Sequence, residues 1–114
     1  MDTNQAVDAF AALSQSTRLD VFRLLIKAGV EGISAGHISD TLKVRQNTMS
    51  TNLAILSRAG LIRSERQGRT IRYFADFDGI QGLLGFLMED CCGGNPSACQ
   101  PLINSLICSP KGQT

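Results

Sequence analysis

The strongest constraint on the fold is a change of hydrophobic period in the middle of the chain. Between residues 47 and 59, Met49, Leu53 and Leu56 recur at three- and four-residue steps, which predicts an amphipathic helix that Gly60 ends. The next two stretches, LIRSER and TIRYFAD, alternate with period two on either side of a glycine-containing turn. Such alternation is typical of a β-hairpin. The centre of the chain therefore predicts a helix followed at once by a hairpin.

Helices of the same amphipathic period are predicted on both sides of this unit. Before the unit, the first helix runs from a cap at Thr3 or Asn4 to Leu13, the second from a cap at Ser16 to Gly29, and the third from a cap at Ser34 to Leu42. After the unit, one helix runs from Asp78 to about Cys91, and a short helix covers PLINSLI near the end. We expect Val7, Phe10 and Ala11 to share one apolar face, and Ile62 and Ile71 to share the inner face of the hairpin. The prediction is a mostly α fold with a small β-hairpin (α+β), arranged as a winged helix-turn-helix.

Positive charge is concentrated around the predicted hairpin. Residues 45–75 hold six arginines and a single glutamate, a net charge of +5, although the whole chain carries only +1. These arginines are Arg45, Arg58, Arg63, Arg66, Arg69 and Arg72. A basic centre between acidic flanks indicates a local contact with a polyanion. On charge alone, an ordinary solvated hairpin fits equally well.

A polar-faced helix next to a basic hairpin suits double-stranded DNA. A helix fits the major groove, which is about 12 Å wide, and Gln, Asn, Ser and Thr side chains reach base edges there. Arginines on a hairpin neutralise phosphates or enter the adjacent minor groove. The polar face of this helix presents Gln46, Asn47, Thr48, Ser50, Thr51, Asn52 and Arg58. A protein-interaction module on the same scaffold is the alternative.

Long stretches of the chain resemble the ArsR/SmtB family of small bacterial metal-sensing repressors. The resemblance is carried by LDVFRLLIKAG and SAGHISDTLKVRQNTMSTNLAILSRAGLIRSERQGRTIRYFA. Within the second stretch, TMSTNLAILSRAGLI and GRTIRYF are similar to the recognition helix and the wing. The similarity spans about residues 5–90. It implies a winged-helix homodimer, joined through the first and fifth helices, that releases its operator DNA when an effector binds.

The resemblance also implies roles for individual residues in DNA binding. Thr48, Ser50, Thr51 and Asn52 are expected to contact bases or backbone, with Gln46 and Asn47 at the start of the helix. Arg58, Arg66, Arg69 and Arg72 complete the expected DNA-binding set. Members of the family often have two histidines where this chain has Thr51 and Asn52, so the operator sequence does not carry over.

All four cysteines lie in the last quarter of the chain, where DCCGGNPSAC places two side by side and Cys108 follows. The arsenic motif of some members is absent, because the third helix here reads SAGHISDTLKV. The zinc site of others needs histidines, and the fifth helix has none; the single histidine is His37. Members with a vicinal pair after the fifth helix and a third cysteine further on respond to arsenite and antimonite. The resemblance therefore implies Cys91, Cys92 and Cys99 as ligands of As(III) or Sb(III), soft ions that three thiolates suit.

Two other uses of the cysteines stay open. If Cys108 joined the other three, four thiolates would suit tetrahedral Zn(II) or Cd(II). A disulfide between Cys99 or Cys108 and either Cys91 or Cys92 would instead make a thiol-redox-sensing repressor.

Several protein classes are not expected. No apolar run approaches the ~20 residues that span a bilayer. The polar start MDTNQAVDAF is unlike a secretory signal, so we expect a cytoplasmic protein without membrane contact. The chain has no Ser-His-Asp set and no glycine-rich phosphate loop, so we expect no enzyme. We expect one DNA-binding and dimerisation domain over residues 1–92 and a cysteine-containing tail over residues 93–114.

Overall fold

The structure is a computed structural model that describes residues 1–89 together with Pro101, Asn104 and Ser105. Its elements are α1 Thr3–Leu13, α2 Ser16–Ala28, β1 Ile33–Ser34, α3 Ala35–Leu42, α4 Gln46–Arg58, β2 Ile62–Gln67, β3 Thr70–Ala75 and α5 Phe77–Leu87. A short 3-10 turn, Gly29–Glu31, joins α2 to β1. The predicted mostly α fold with a hairpin is confirmed. All four cysteines and nearly all of the predicted tail lie outside the described residues.

The helix caps show how local sequence fixes where the helices begin. Asp2 caps α1, because its carboxylate accepts from the Gln5 N–H while the Gln5 side chain accepts from the Asp2 N–H. The Gln15 side chain caps α2, accepting from the Arg18 N–H. The predicted caps at Thr3 or Asn4 and at Ser16 are therefore wrong, since the capping side chains stand earlier in the chain. The predicted cap of α3 at Ser34 is confirmed.

One core joins the helices α1 to α5 and the hairpin. It consists of Ala6, Ala9, Ala12, Val21, Leu25, Ile38, Met49, Leu53, Leu56, Leu61, Ile62, Ala75 and Leu83. Burying these side chains supplies the main drive for folding, at about 25 cal/mol for each Å² of apolar surface removed from water. No helix in the described part of the chain is both long and apolar enough to cross a bilayer.

The first helix turns a different face to this core than a simple apolar pattern indicates. Ala6 and Ala9 are buried, whereas Val7 is 56% exposed and Phe10 is 44% exposed. Small alanine side chains let α1 approach its neighbours closely, because the distance between packed helices depends on the side chains at the contact. The predicted apolar face of Val7, Phe10 and Ala11 therefore points away from the core. Within the described part of the chain, this face is exposed to solvent.

The sheet has the strand order β1-β3-β2, with both pairings antiparallel. Gly68, at φ +64°, occupies the turn between β2 and β3. The predicted inner position of Ile62 is confirmed, since it is 2% exposed. Ile71 lies on the same face by register, but it is 37% exposed because the tip of the hairpin extends past the core. The predicted shared face of Ile62 and Ile71 is therefore confirmed by the register, but only Ile62 is buried.

Candidate nucleic-acid interface

The helix α4 presents one apolar and one polar side. Met49, Leu53 and Leu56 are buried against the core. At 3.6 residues per turn, Asn47 and Thr51 then lie on the opposite side, and both are exposed. The helices α3 and α4 are joined by a tight turn in which Lys43 adopts the left-handed conformation. The first residues of α4, which follow this turn, are exposed to solvent.

The first turns of α4 carry exposed polar side chains with their own local hydrogen bonds. Because Arg45 makes no side-chain cap, the Asn47 Oδ1 instead accepts from the Thr48 N–H at 2.9 Å. The Thr51 Oγ1 donates to the Asn47 carbonyl at 3.3 Å. Gln46, Asn47, Thr48, Ser50 and Thr51 are all exposed at this end of the helix. The structure thus brings together five of the side chains expected at the DNA, on a surface that no other described element covers.

Asn52 stands apart from the other residues expected to contact DNA. Its side chain lies in the inward stripe with Met49, Leu53 and Leu56, and the residue is only 7% exposed. Its Oδ1 accepts a hydrogen bond from the Arg18 guanidinium at 3.2 Å. The prediction of a DNA contact for Asn52 is therefore corrected, because this side chain points into the protein.

Arg58 lies in the last turn of α4, about 16 Å along the helix axis from Asn47. Its Nε donates to the Ala54 carbonyl at 3.4 Å. The side chain lines an open cleft of about 310 Å³ together with Asp8 and Arg18. Arg58 is exposed, so its contact with DNA stays a prediction, at the far end of α4 from the exposed polar cluster.

The hairpin of β2 and β3, which we call the wing, carries two arginines that have no partner in the described part of the chain. Arg66 lies near the end of β2 and Arg69 lies in the turn, and both are exposed. Neither side chain forms a hydrogen bond or ion pair with the described residues. These two guanidiniums can therefore bind an external anion without first breaking an internal bond.

The other two arginines of the hairpin are engaged within the protein. Arg63 pairs with Glu65 at 3.1 Å, and its guanidinium lies 4.4 Å from the centroid of the Phe74 ring. Arg72 donates from Nη1 to the carbonyls of Glu31 and Gly32, each at 3.0 Å. These bonds tie β3 to the loop before β1. Within the fold, Arg72 therefore holds the hairpin to this loop. A DNA contact by Arg72 stays a prediction.

Sequence reasoning overlooked Arg18, which holds Asn52 from 34 residues away. A signal for this partnership was present in the spacing of α4. Asn52 occupies the same helical stripe as Met49, Leu53 and Leu56, and a buried polar side chain requires a hydrogen-bond partner. The sequence did not reveal which element supplies that partner.

Among the described residues, no group of three or more His, Cys, Asp or Glu side chains is placed to hold a metal ion. His37 is exposed on α3. The expected ligands Cys91, Cys92 and Cys99 lie outside the described residues, so their geometry stays a prediction. The described residues instead offer an exposed polar face on α4, and two guanidiniums on the hairpin that have no partner among the described residues.

Comparison with known families and structures agrees with this geometry. Residues 13–65 match the family described as a helix-turn-helix domain. The uncharacterized helix-turn-helix-type transcriptional regulator YbzH of Bacillus subtilis (strain 168) is 35% identical over 98 residues, covering 75% of this chain and 98% of that protein.

Two solved structures extend the similarity to the whole fold. An ArsR-like transcriptional regulator from Rhodococcus sp. RHA1 has a TM-score of 0.67 at 26% identity, covering 94% of this chain and 96% of that one. The homodimeric winged helix-turn-helix DNA-binding domain of Mb0332 from Mycobacterium bovis has a TM-score of 0.63 at 20% identity, covering 93% of this chain and 89% of that one. The predicted winged helix-turn-helix architecture is confirmed.

Proposed function

We propose that this chain, which belongs to the helix-turn-helix transcriptional regulators, is a repressor that binds operator DNA. Its ArsR-like winged-helix fold supports this proposal. We further propose that trivalent arsenic or antimony releases the repressor from the operator. The observation that carries the DNA-binding part is the exposed polar start of α4 together with the free guanidiniums of Arg66 and Arg69. In this arrangement α4 reads base edges in the major groove and the wing contacts the backbone.

The effector part of the proposal is supported by the donor set in the sequence. Cys91, Cys92 and Cys99 offer three soft thiolates within nine residues, and Gly93 and Gly94, which stand between them in the sequence, are residue types that permit a wide range of backbone conformations. Soft sulfur ligands select soft ions, and three of them suit a trigonal-pyramidal centre such as As(III) or Sb(III). Bound ion would draw the tail towards the end of α5, because Cys91 follows that helix closely.

A route from α5 to the DNA-binding surface supports the release step. The Asp76 N–H at the start of α5 donates to the Leu61 carbonyl at 2.9 Å, directly after the end of α4. Gly79 in the first turn of α5 packs against the Gly60 carbonyl. A shift of α5 would therefore act on the end of α4. A coupling of only ~1–3 kcal/mol would weaken operator binding roughly 5–150-fold.

We also propose that the repressor is a homodimer joined through α1 and α5. Support comes from the uncovered apolar side chains of these two helices, which include Phe10 at 44% exposure and Leu84 at 43%. The Mycobacterium bovis domain of the same fold is described as homodimeric. A two-fold dimer would place two copies of α4 about one helical turn of DNA apart, roughly 34–36 Å.

The proposal is tested by titrating arsenite and antimonite into a gel shift on the DNA upstream of the gene, under reducing conditions. We expect operator affinity to fall roughly 5–150-fold when either oxyanion is added. Replacing Cys91, Cys92 and Cys99 by serine should abolish this response while leaving DNA binding intact.

Cys108→Ser is the matched control, and we expect it to respond like the wild-type chain. Mass spectrometry of the released protein should show one bound arsenic or antimony atom. A mass decrease of two hydrogens without bound ion would contradict the proposal and indicate a disulfide switch. An unchanged response in the triple serine variant would contradict the assignment of the ligands.

A further inference from the structure

Arg18 links three helices through a single guanidinium. It lies half-buried in the first turn of α2, and its Nε donates to the Ala12 carbonyl at 2.7 Å. Its Nη1 donates to the Asn52 Oδ1 of α4 at 3.2 Å. Ala12 belongs to the last turn of α1, where carbonyls have no partner inside the helix. A cation at that end of a helix also interacts favourably with the helix dipole.

The orientation of the Asn52 amide is fixed by this contact. A guanidinium has only donors, so the atom of Asn52 that faces Arg18 must be the carbonyl oxygen. Asn52 is also the one polar side chain in the buried stripe of α4. The buried contact between α4 and the rest of the protein therefore contains a directional bond in an otherwise apolar surface.

A directional hydrogen bond can restrict the rotation of α4 about its axis, which apolar packing does less strictly. The attraction between Leu53, Leu56 and the core is proportional to buried area and has no preferred direction. A hydrogen bond, by contrast, weakens steeply when its angle departs from linearity. Rotating α4 by about 20° would move a side-chain tip ~6 Å from the helix axis by roughly 2 Å. Such a shift would break the hydrogen bonds that a base-reading side chain makes.

We infer that Arg18 and Asn52 are positioning residues that set the rotation of α4 about its axis, and through it the base specificity of DNA binding. The inference rests on the proposed DNA-binding function and adds two residues that do not touch DNA. Thr48 and Thr51 lie four residues and one residue before Asn52 on α4, and both are exposed. A rotation of α4 about its axis would therefore move both side chains within the DNA groove. Arg66 and Arg69 belong to the wing, so phosphate contacts there do not depend on this rotation.

The test compares two variants of almost equal shape, Asn52→Leu and Asn52→Asp. Leucine keeps the size of the side chain but removes the acceptor, whereas aspartate retains an acceptor for Arg18. The measurement is the ratio of affinities for a duplex selected from a random pool by the wild-type chain and for a scrambled duplex. We expect Asn52→Leu to lower this ratio about tenfold, comparable to removing one good base-reading side chain. We expect Asn52→Asp to keep it within about twofold, and the salt slope to be unchanged in both.

Arg18→Met supplies a second way to break the bridge should Asn52→Leu fail to fold. It should lower the same ratio, and the double variant Arg18→Met with Asn52→Leu should be no worse than the more affected single variant, because both remove one bond. Ile38→Val, a core change of small stability cost on α3, controls for destabilisation and should leave the ratio unaltered.

The outcomes separate this inference from the function on which it rests. If the wild-type chain shows no salt-dependent binding to any duplex, the proposed function fails. If it binds with specificity but Asn52→Leu keeps the full ratio, the positioning role is overturned. If Asn52→Asp loses as much specificity as Asn52→Leu, Asn52 contacts the DNA itself, and the inference is also overturned.

Discussion

At the scale of single residues, internal contacts divide the arginines of the wing into two kinds. Arg66 and Arg69 are exposed and hold nothing among the described residues. Arg63 is shared between Glu65 and the Phe74 ring, and Arg72 satisfies two backbone carbonyls. A free guanidinium can bind phosphate without giving up another partner. The net charge of the segment therefore overstates the charge that the wing can offer to DNA.

We predict that Arg66→Ala and Arg69→Ala weaken binding to selected and scrambled duplexes by the same factor. Each removes a cation that binds phosphate, and phosphate carries no sequence information. The slope of log affinity against log salt should become shallower by about 0.9 for each phosphate that is no longer neutralised. Fluorescence anisotropy at several salt concentrations measures both quantities.

Arg63→Ala is the matched control for this pair, since its charge is already neutralised by Glu65. We expect a smaller change in salt slope for Arg63→Ala than for either of the other two. Equal slopes for all three variants would show that internal pairing does not decide which arginines contact DNA.

At the scale of elements, two glycines allow the start of α5 to pack closely against the residues that follow α4. They are Gly60, after α4, and Gly79, in the first turn of α5. Gly60 has φ +79°, in the left-handed region, and its carbonyl contacts the place where a Cβ on Gly79 would stand. The Asp76 side chain caps α5 by accepting from the Gly79 N–H at 3.2 Å. The junction therefore leaves no room for a side chain at this point of α5.

We predict that Gly79→Ala lowers the free energy of unfolding by about 1–3 kcal/mol, because the added methyl group overpacks a contact made by backbone. Gly85→Ala in the same helix is the control, since a Cβ there meets nothing within 4 Å. Alanine at that helical position should be neutral or stabilise by up to about 1 kcal/mol. Urea unfolding of both variants measures the difference, and equal stabilities would contradict the tight junction.

The elements also show how far sequence periodicity reaches. The change from period 3.6 to period two identified α4 and the hairpin, because each pattern matches the geometry of its own element. This pattern does not determine which side of α1 packs against the core. Both of its sides are apolar, with alanines on one and larger residues such as Val7 and Phe10 on the other. Which side packs internally depends on how closely the neighbours approach, and periodicity carries no such information.

For the candidate site, the sequence predicts which side chains α4 exposes but not which residues bond to each other across the fold. Gln46, Asn47, Thr48, Ser50 and Thr51 follow from the polar face of a helix whose apolar stripe is clear. The role of Asn52 did not follow, because its partner Arg18 stands 34 residues earlier on a different helix. Contacts of this kind are set by the tertiary arrangement rather than by local pattern.

At the scale of the whole molecule, α1 and α5 contact each other and both have large apolar side chains that are exposed among the described residues. The exposed set on α1 and α5 comprises Val7, Phe10, Phe77, Leu84 and Leu87. Scattered exposed apolar residues are normal on proteins, but several on two helices that contact each other indicate an interaction surface. A second copy of the same surface would cover both helices at once, as a two-fold interface requires.

We predict that Phe10→Glu and Leu84→Glu convert the protein from dimer to monomer, because each buries an unpaired charge in the interface. Light scattering after size exclusion measures the mass. A dimer engages the second half of a palindromic site intramolecularly, so the monomer should bind the full site more weakly, on the order of 10²-fold or more, while binding to a single half-site is retained. Val30→Glu is the control, since Val30 is 93% exposed on the 3-10 turn outside both helices and its change should leave the dimer intact. A monomeric wild-type chain would contradict the proposed dimer, and dissociation caused by Val30→Glu would place the interface outside α1 and α5.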